Sequence, residues 1–369
     1  MTHIKKPASA SIPHGIVSIS DYEKSARDYM RHDIAEYVYS GSGDEQTLYR
    51  NRYGFQNYQI YNRVLADFSE SNTSVQLFGK TLAHPFILAP VAHQGLVHPD
   101  GERATAMAAN AMQTPMIISS LSNIPVEEIT AQKGNYWFQL YWQGNRVATL
   151  SLLKRALEAG VEVIVITLDA AVSGVRNRPQ RAGFFLPEAL CEANLSDLPP
   201  PAPRTLEPDQ SPALHGFMQD TPGVEDLLWL REQTNLPLLA KGVTHPADAV
   251  RLMNIGFDGI IVSNHGGRTL DGMPAAIDCI APIRKAVGAE YPILFDSGIR
   301  RGTDALTALA LGANAVCIGR PQMWGLAVAG GAGVAHCIRI FQEELEIAMA
   351  LSGCPSITDI TSEIFWASN

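Results

Sequence analysis

Charge is scarce in this chain. Only 18% of its 369 residues are Asp, Glu, Lys or Arg, and 37 acidic residues outnumber 28 basic ones for a formal net charge of −9. No basic run of any length is present, which argues against nucleic acid as a partner. Cysteine is also sparse: Cys191, Cys279, Cys317, Cys337 and Cys354 stand apart, with no C-x-x-C and no metal-type spacing. A disulfide framework and a cysteine metal site are therefore not expected, and a reducing, cytoplasmic setting is. The opening Met1-Thr2-His3-Ile4-Lys5-Lys6 lacks the following apolar stretch of a signal peptide. No run approaches the roughly 18 consecutive apolar residues of a membrane span, so no membrane partner is expected. What the chain does have is apolar bulk. Its 46% hydrophobic content suffices for two domains or for one large α/β barrel.

Short apolar runs recur at 86–89, 116–119, 137–141, 163–168, 236–240, 259–263, 293–295 and 315–318. Between them lie segments of helical spacing, among them 102–112, 148–159, 224–233, 247–254, 277–287 and 303–311. Repeated strand–helix alternation implies parallel strands joined by right-handed crossovers. Eight units argue for a closed (β/α)8 barrel; an open doubly wound sheet is the alternative. Residues 1–80 precede the first strand and are expected to form a helical cap, with 81–369 forming the barrel. The long irregular segment at about 181–222, with Pro199-Pro200-Pro201 and Pro203, reads as a lid over the mouth or as a mobile linker.

The strand ends carry the chemistry. In order they present Pro90-Val91-Ala92, Ser119, Gln139 with Tyr141, Thr167 with Asp169, Lys241, Ser263 with His265, Asp296, and Gly319-Arg320. In a barrel these positions converge on one face, where active sites are built. Polar residues end strands in many proteins, but Lys, Asp, His and Arg arriving together is a stronger sign. Asp296-Ser297-Gly298-Ile299-Arg300-Arg301-Gly302 and Ile318-Gly319-Arg320 place glycine and arginine after the last two strands, a pattern suited to phosphate. Lys241 suits either a Schiff base or the stabilisation of an anion. Ser119, Gln139 and Thr167 suit the polar edge of a flat heterocycle. Val262-Ser263-Asn264-His265-Gly266-Gly267-Arg268 sets a base beside an anion clamp, as deprotonation of a hydroxyl next to a carboxylate requires.

Ser263-Asn264-His265-Gly266-Gly267-Arg268, together with Leu238-Leu239-Ala240-Lys241-Gly242-Val243 and the 295–302 stretch, resembles the FMN-dependent L-2-hydroxy acid oxidising family, over about residues 22–357. That family includes glycolate oxidase, L-lactate oxidase, L-lactate dehydrogenase and mandelate dehydrogenase. The resemblance implies that Pro90, Val91 and Ala92 back the flavin and that Ser119, Gln139 and Thr167 bond its ring edge. It places Lys241 beside N1, Ser263 against the flavin, and Asp296, Gly298, Arg300, Gly319 and Arg320 along the ribityl chain and phosphate. Tyr37, Tyr141, Arg176 and Arg268 match substrate contacts, His265 the base, and Asp169 its paired carboxylate. No metal is implied. A homo-oligomer, a tetramer or a dimer of tetramers, is.

At Leu121 the glycolate oxidase-like and lactate oxidase-like members carry an aromatic residue, so an aliphatic side chain there is expected to admit acids longer than glycolate, such as L-lactate. Compensation by the lid residues Phe217 or Met218 is the competing expectation. The chain lacks an added haem domain, and its lid shows no amphipathic basic stripe. O2, giving H2O2, is therefore the expected acceptor, with a quinone or other non-oxygen acceptor as the alternative. Four further readings stay open: a decarboxylating monooxygenase, a peptide or tailoring oxidase of the same family, an isomerase using the phosphate loops for its substrate, and a non-catalytic barrel. His93 and His98 are read as bystanders.

Overall fold

The computed structural model describes residues 3–198 and 204–366; Pro199-Pro200-Pro201 and Pro203 lie outside the described residues. Eight parallel strands close into a barrel: β3 (Phe86–Leu88), β4 (Met116–Ser119), β5 (Tyr136–Leu140), β6 (Ile164–Thr167), β7 (Leu238–Val243), β8 (Gly259–Val262), β9 (Ile293–Phe295) and β10 (Ala315–Ile318). They neighbour one another in chain order, and β10 pairs with β3 to complete the ring. Both faces of each strand are buried, which explains why the strands read as continuous apolar runs. Outward residues such as Phe86, Ile118, Phe138 and Ile166 pack against the surrounding helices. Inward residues such as Ile87, Ile117, Val165, Leu239, Ile261 and Leu294 form a separate central cluster.

Two parts of the chain depart from the expectation. Residues before the barrel do contain helices, at Ile19–Tyr29, His32–Tyr39 and Gln46–Tyr53, but they end in an antiparallel hairpin of β1 (Val75–Leu77) and β2 (Lys80–Leu82). Val75, Leu77 and Leu82 join the inward cluster, so the hairpin plugs the end of the barrel away from the site. Two strands of three residues carry too few alternations to be read as a period. The other departure is the helix Arg320–Ser352, which contains an 18-residue window of mean hydropathy 1.3. By length and composition alone it could cross a membrane, yet 72% of that window is buried in the protein, and Gln322 and His336 bound its longest unbroken apolar run. It packs on the helices Gly101–Ala111, Ile19–Tyr29 and Gly302–Ala310, and it breaks at Ala329 and Gly330, whose backbone leaves the helical region.

Among the described residues, the long segment after β6 carries short turns of helix at Asn177–Arg181, Pro212–Gly216 and Phe217–Asp220. Phe217 and Met218 are 61% and 43% exposed and do not line the cavity described below. They therefore do not fill the space beside Leu121.

Candidate active site

Period-two alternation puts every second residue of each strand inside the barrel. Continuing that register toward the C-terminal ends replaces the apolar interior by Ser119, Gln139, Thr167, Lys241 and Asp296, which border a cavity of about 420 Å³. Of the residues singled out from the sequence, Tyr37, Pro90, Val91, Ala92, Tyr141, Arg176, His265, Arg268, Gly298, Arg300, Gly319 and Arg320 also line it. Asp169 and Ser263 do not. Both stand behind the wall, where they hold residues that do.

Asp169 holds His265. Its Oδ1 lies 2.9 Å from His265 Nδ1, which leaves Nε2 as the ring nitrogen outside this pair. Burial alone would raise the Asp169 carboxyl, but His265 and Lys241 outweigh it and keep it below its ordinary value, so it stays ionised. The approach depends on Gly242. That residue has φ +98°, and a Cβ there would come within 2.4 Å of the Asp169 side chain. The register of β7 against β8 shifts at this point, a bulge that turns the strand end aside to admit the carboxylate. The apolar run stops at Ala240; the bulge carries the strand on to Val243.

Ser263 is fully buried. Its Oγ receives Lys241 Nζ at 3.1 Å and the His265 backbone N–H at 3.0 Å, and donates to Asp296 Oδ1 at 3.0 Å. Lys241 Nζ stands 3.5 Å from Asp296 Oδ2. Burial disfavours the ammonium, but Asp296 and Asp169 more than offset it, and Lys241 is held above its ordinary value as a cation. Tyr141 is pushed up to about 12, chiefly by burial, and is thus a neutral hydroxyl.

The opposite side is built from arginines, of which Arg176, Arg268 and Arg320 pair with carbonyl and hydroxyl oxygens rather than carboxylates. Arg176 donates to Tyr37 O at 3.0 Å and Ser40 Oγ at 2.8 Å, and Arg268 to Tyr37 O at 2.9 Å. Both guanidinium groups lie over the Tyr37 ring, at 5.5 and 5.0 Å, and Phe184 stacks on that ring at 4.3 Å. Arg320 donates to Val38 O, Ser40 O and Gly266 O. Burial, and then Arg268, pushes Arg176 down to about 9. Arg320 falls well below its ordinary value from burial and from Arg268, Arg300 and Arg176 around it. Burial pushes Arg300 down to about 10, against the pull of Glu23, whose carboxylate is 3.6 Å away. A group of arginines destabilised by burial and, at Arg176 and Arg320, by neighbouring arginines is a receptor for anions.

The residues present fit a flavin mononucleotide. The buried Nε2 of Gln139 has no partner in the protein, and its Oε1 is already taken by Ser119 Oγ and Ser120 N; the free donor suits a ring carbonyl. Arg300 and Arg320 supply charge for a phosphate beside two helix starts, Gly302–Ala310 and Arg320–Ser352. The model of the FMN-dependent dehydrogenase family matches residues 26–367.

The chain belongs to the FMN-dependent dehydrogenase family. As a member of that family it is FMN-dependent. It is 45% identical to an L-lactate oxidase of Alicycliphilus denitrificans, across 96% of this chain and 98% of that protein. It is 41% identical to a 4-hydroxymandelate oxidase of Amycolatopsis orientalis, across 92% and 96%. The crystal structure of mandelate oxidase with 3,3-difluoro-2-hydroxy-3-phenylpropionic acid superposes with a TM-score of 0.85 at 39% identity, covering 94% of this chain and 98% of that one. Some residues of the cavity wall are not among those predicted from the sequence. Cys317 is legible, two residues beyond Ala315 on the inward register of β10. Ser297 and Met323 also line the wall; Ser297 sits between the predicted Asp296 and Gly298, and no local pattern marks Met323.

Proposed function

We propose that this enzyme oxidises L-2-hydroxy acids to 2-oxo acids and passes the electrons to O2, giving H2O2, with L-lactate or a similar short-chain acid preferred. The observation that carries this reading is the Asp169-held His265 sharing one cavity with Arg176 and Arg268. Bound FMN supplies the two-electron acceptor. Arg176 and Arg268 would clamp the substrate carboxylate, and Tyr141 would donate to an oxygen beside it. His265 would take the hydroxyl proton on Nε2 as hydride leaves the α-carbon, and Asp169 would stabilise the imidazolium that results. Lys241 would offset negative charge gathering on the ring, with Ser119, Gln139 and Thr167 on its polar edge. Pro90, Val91 and Ala92 would back the ring, Ser263 would hold Lys241 and Asp296 toward the flavin, and Asp296, Gly298, Arg300, Gly319 and Arg320 would serve the ribityl chain and phosphate. Leu121 lines the cavity and leaves it open to a substrate side chain. The names of the relatives, several of them L-lactate oxidases, support both the substrate class and oxygen as acceptor. A cytoplasmic homo-oligomer, a tetramer of barrels, completes the reading.

The deciding experiment mixes the purified flavoprotein with L-lactate without oxygen, follows the flavin absorbance, and then admits air. Bleaching with rapid recovery and peroxide is the expected result. Bleaching that persists in air replaces the oxidase by a dehydrogenase with a quinone or other acceptor, and a protein that no L-2-hydroxy acid bleaches overturns the proposal.

A further inference from the structure

His265 is presented by unusual backbone. It has φ +57°, and Gly266 and Gly267 follow at +65° and +75°, so three successive residues take the left-handed conformation, closed by Gly267 N–H on Asn264 O at 3.0 Å. Glycine adopts this geometry freely; histidine does not. Something must hold it. The Ser297 hydroxyl, 6% exposed at the residue level, accepts from Asn264 N at 3.3 Å and Gly266 N at 3.0 Å, the two amides flanking His265. It donates in turn to Asp296 Oδ1 at 2.9 Å. The amide of His265 itself goes to Ser263 Oγ, which donates to the same carboxylate oxygen. One carboxylate thus fixes three consecutive loop amides through two serine hydroxyls.

Ser297 is itself strained. Its φ is +102°, a conformation that glycine would occupy at lower cost. The two loop amides call for its acceptor: without it the buried Asn264 amide would lose this partner and the part-buried Gly266 amide would be left to the cavity. Gly266 O also receives Arg320, so a shift of this turn would reach the anion cluster as well as the base.

We infer that Ser297 is a positioning residue for the reaction, holding the left-handed turn that aims His265 into the cavity. The inference rests on the proposed role of His265 as base. The test compares Ser297→Ala and Ser297→Gly as FMN-loaded enzymes. Alanine keeps the strain and loses the hydroxyl; glycine loses both, and serves where the alanine variant folds poorly. Amide hydrogen exchange across residues 263–268 is read alongside anaerobic flavin reduction by L-lactate. Both variants are expected to exchange faster in this segment alone. Both are expected to be reduced on the order of 10²-fold more slowly, as misplacement of a reacting group by about 1 Å can cause, with a much smaller change in substrate Kd. A glycine variant reduced at the wild-type rate, or with loop exchange unchanged, overturns the inference. A wild-type protein that no 2-hydroxy acid reduces sinks the functional reading instead; the exchange result then decides by itself whether Ser297 holds the turn.

Discussion

Asp169 and His265 lie 96 residues apart in the chain and 2.9 Å apart in the protein. Replacing Asp169 by asparagine keeps the shape and removes the charge, and can turn the imidazole into the wrong tautomer. Flavin reduction by L-lactate is expected to slow by about 10²–10⁴-fold, with KM changed far less. The same variant has a pH signature. A carboxyl held below its ordinary value of 3.8 contributes stability that is present above that pH and lost as pH falls through the folded-state pKa. The difference in Tm between wild type and Asp169→Asn should therefore be largest near neutrality and shrink below about pH 4.

Gly242→Ala attacks the same pair from the other side. The added methyl would sit 2.4 Å from the Asp169 side chain on a backbone at φ +98°. Thermal denaturation should show a loss of about 1–3 kcal/mol. The surviving folded enzyme should share the slow flavin reduction of Asp169→Asn, since its carboxylate is displaced. Full activity in this variant would refute the bulge as the device that admits Asp169.

Arg176 and Arg268 share the carbonyl of Tyr37 and remain free to take a carboxylate. Arg268→Lys should raise KM for L-lactate by about 10–10²-fold, the worth of a charge-assisted hydrogen bond, because lysine loses the planar fork. Burial and its neighbour hold Arg176 below its ordinary value, so an incoming carboxylate relieves it most. Arg176→Met should raise KM for L-lactate at least as much as Arg268→Lys does; an unchanged KM would remove Arg176 from the clamp.

His93 stands in the loop after β3 with its Nδ1 buried and unpartnered. Burial pushes it down to about 4, so it is neutral at working pH. Between its ordinary 6.5 and about 4 the unfolded chain binds a proton that the folded protein refuses, and stability falls as pH drops through that window. His93→Gln should flatten Tm against pH there while flavin reduction stays near wild type.

Leu121 borders the cavity together with Val172 and Met323. Leu121→Trp should narrow the space beside the substrate. The kcat/KM for 2-hydroxybutyrate should fall by about tenfold or more relative to glycolate. An unchanged ratio would place chain-length selection elsewhere in the wall.

The eight barrel strands were legible because strands buried on both faces must be apolar throughout, and each run ends where the barrel opens. The strand ends were legible for the same reason: Gln139, Thr167 and Lys241 continue the inward register into a polar layer. The hairpin of Val75–Leu77 and Lys80–Leu82 escaped because three residues carry no usable period. The bulge at Gly242 escaped because its cause, Asp169, belongs to the turn after another strand. Phe217 and Met218 had a plausible role beside Leu121 on paper, and only their position outside the cavity removed it.

The amino-acid order alone thus determined the barrel, its polar mouth and the residue types gathered there, because periodicity and burial are local properties of a chain. Tertiary structure decided which of those groups meet. It set Asp169 on His265, turned three arginines onto the carbonyls of residues 37–40, and held 265–267 left-handed through Ser297. Those contacts join distant segments, and the charges within them are tuned by burial. Both exist only once the ring of strands has closed.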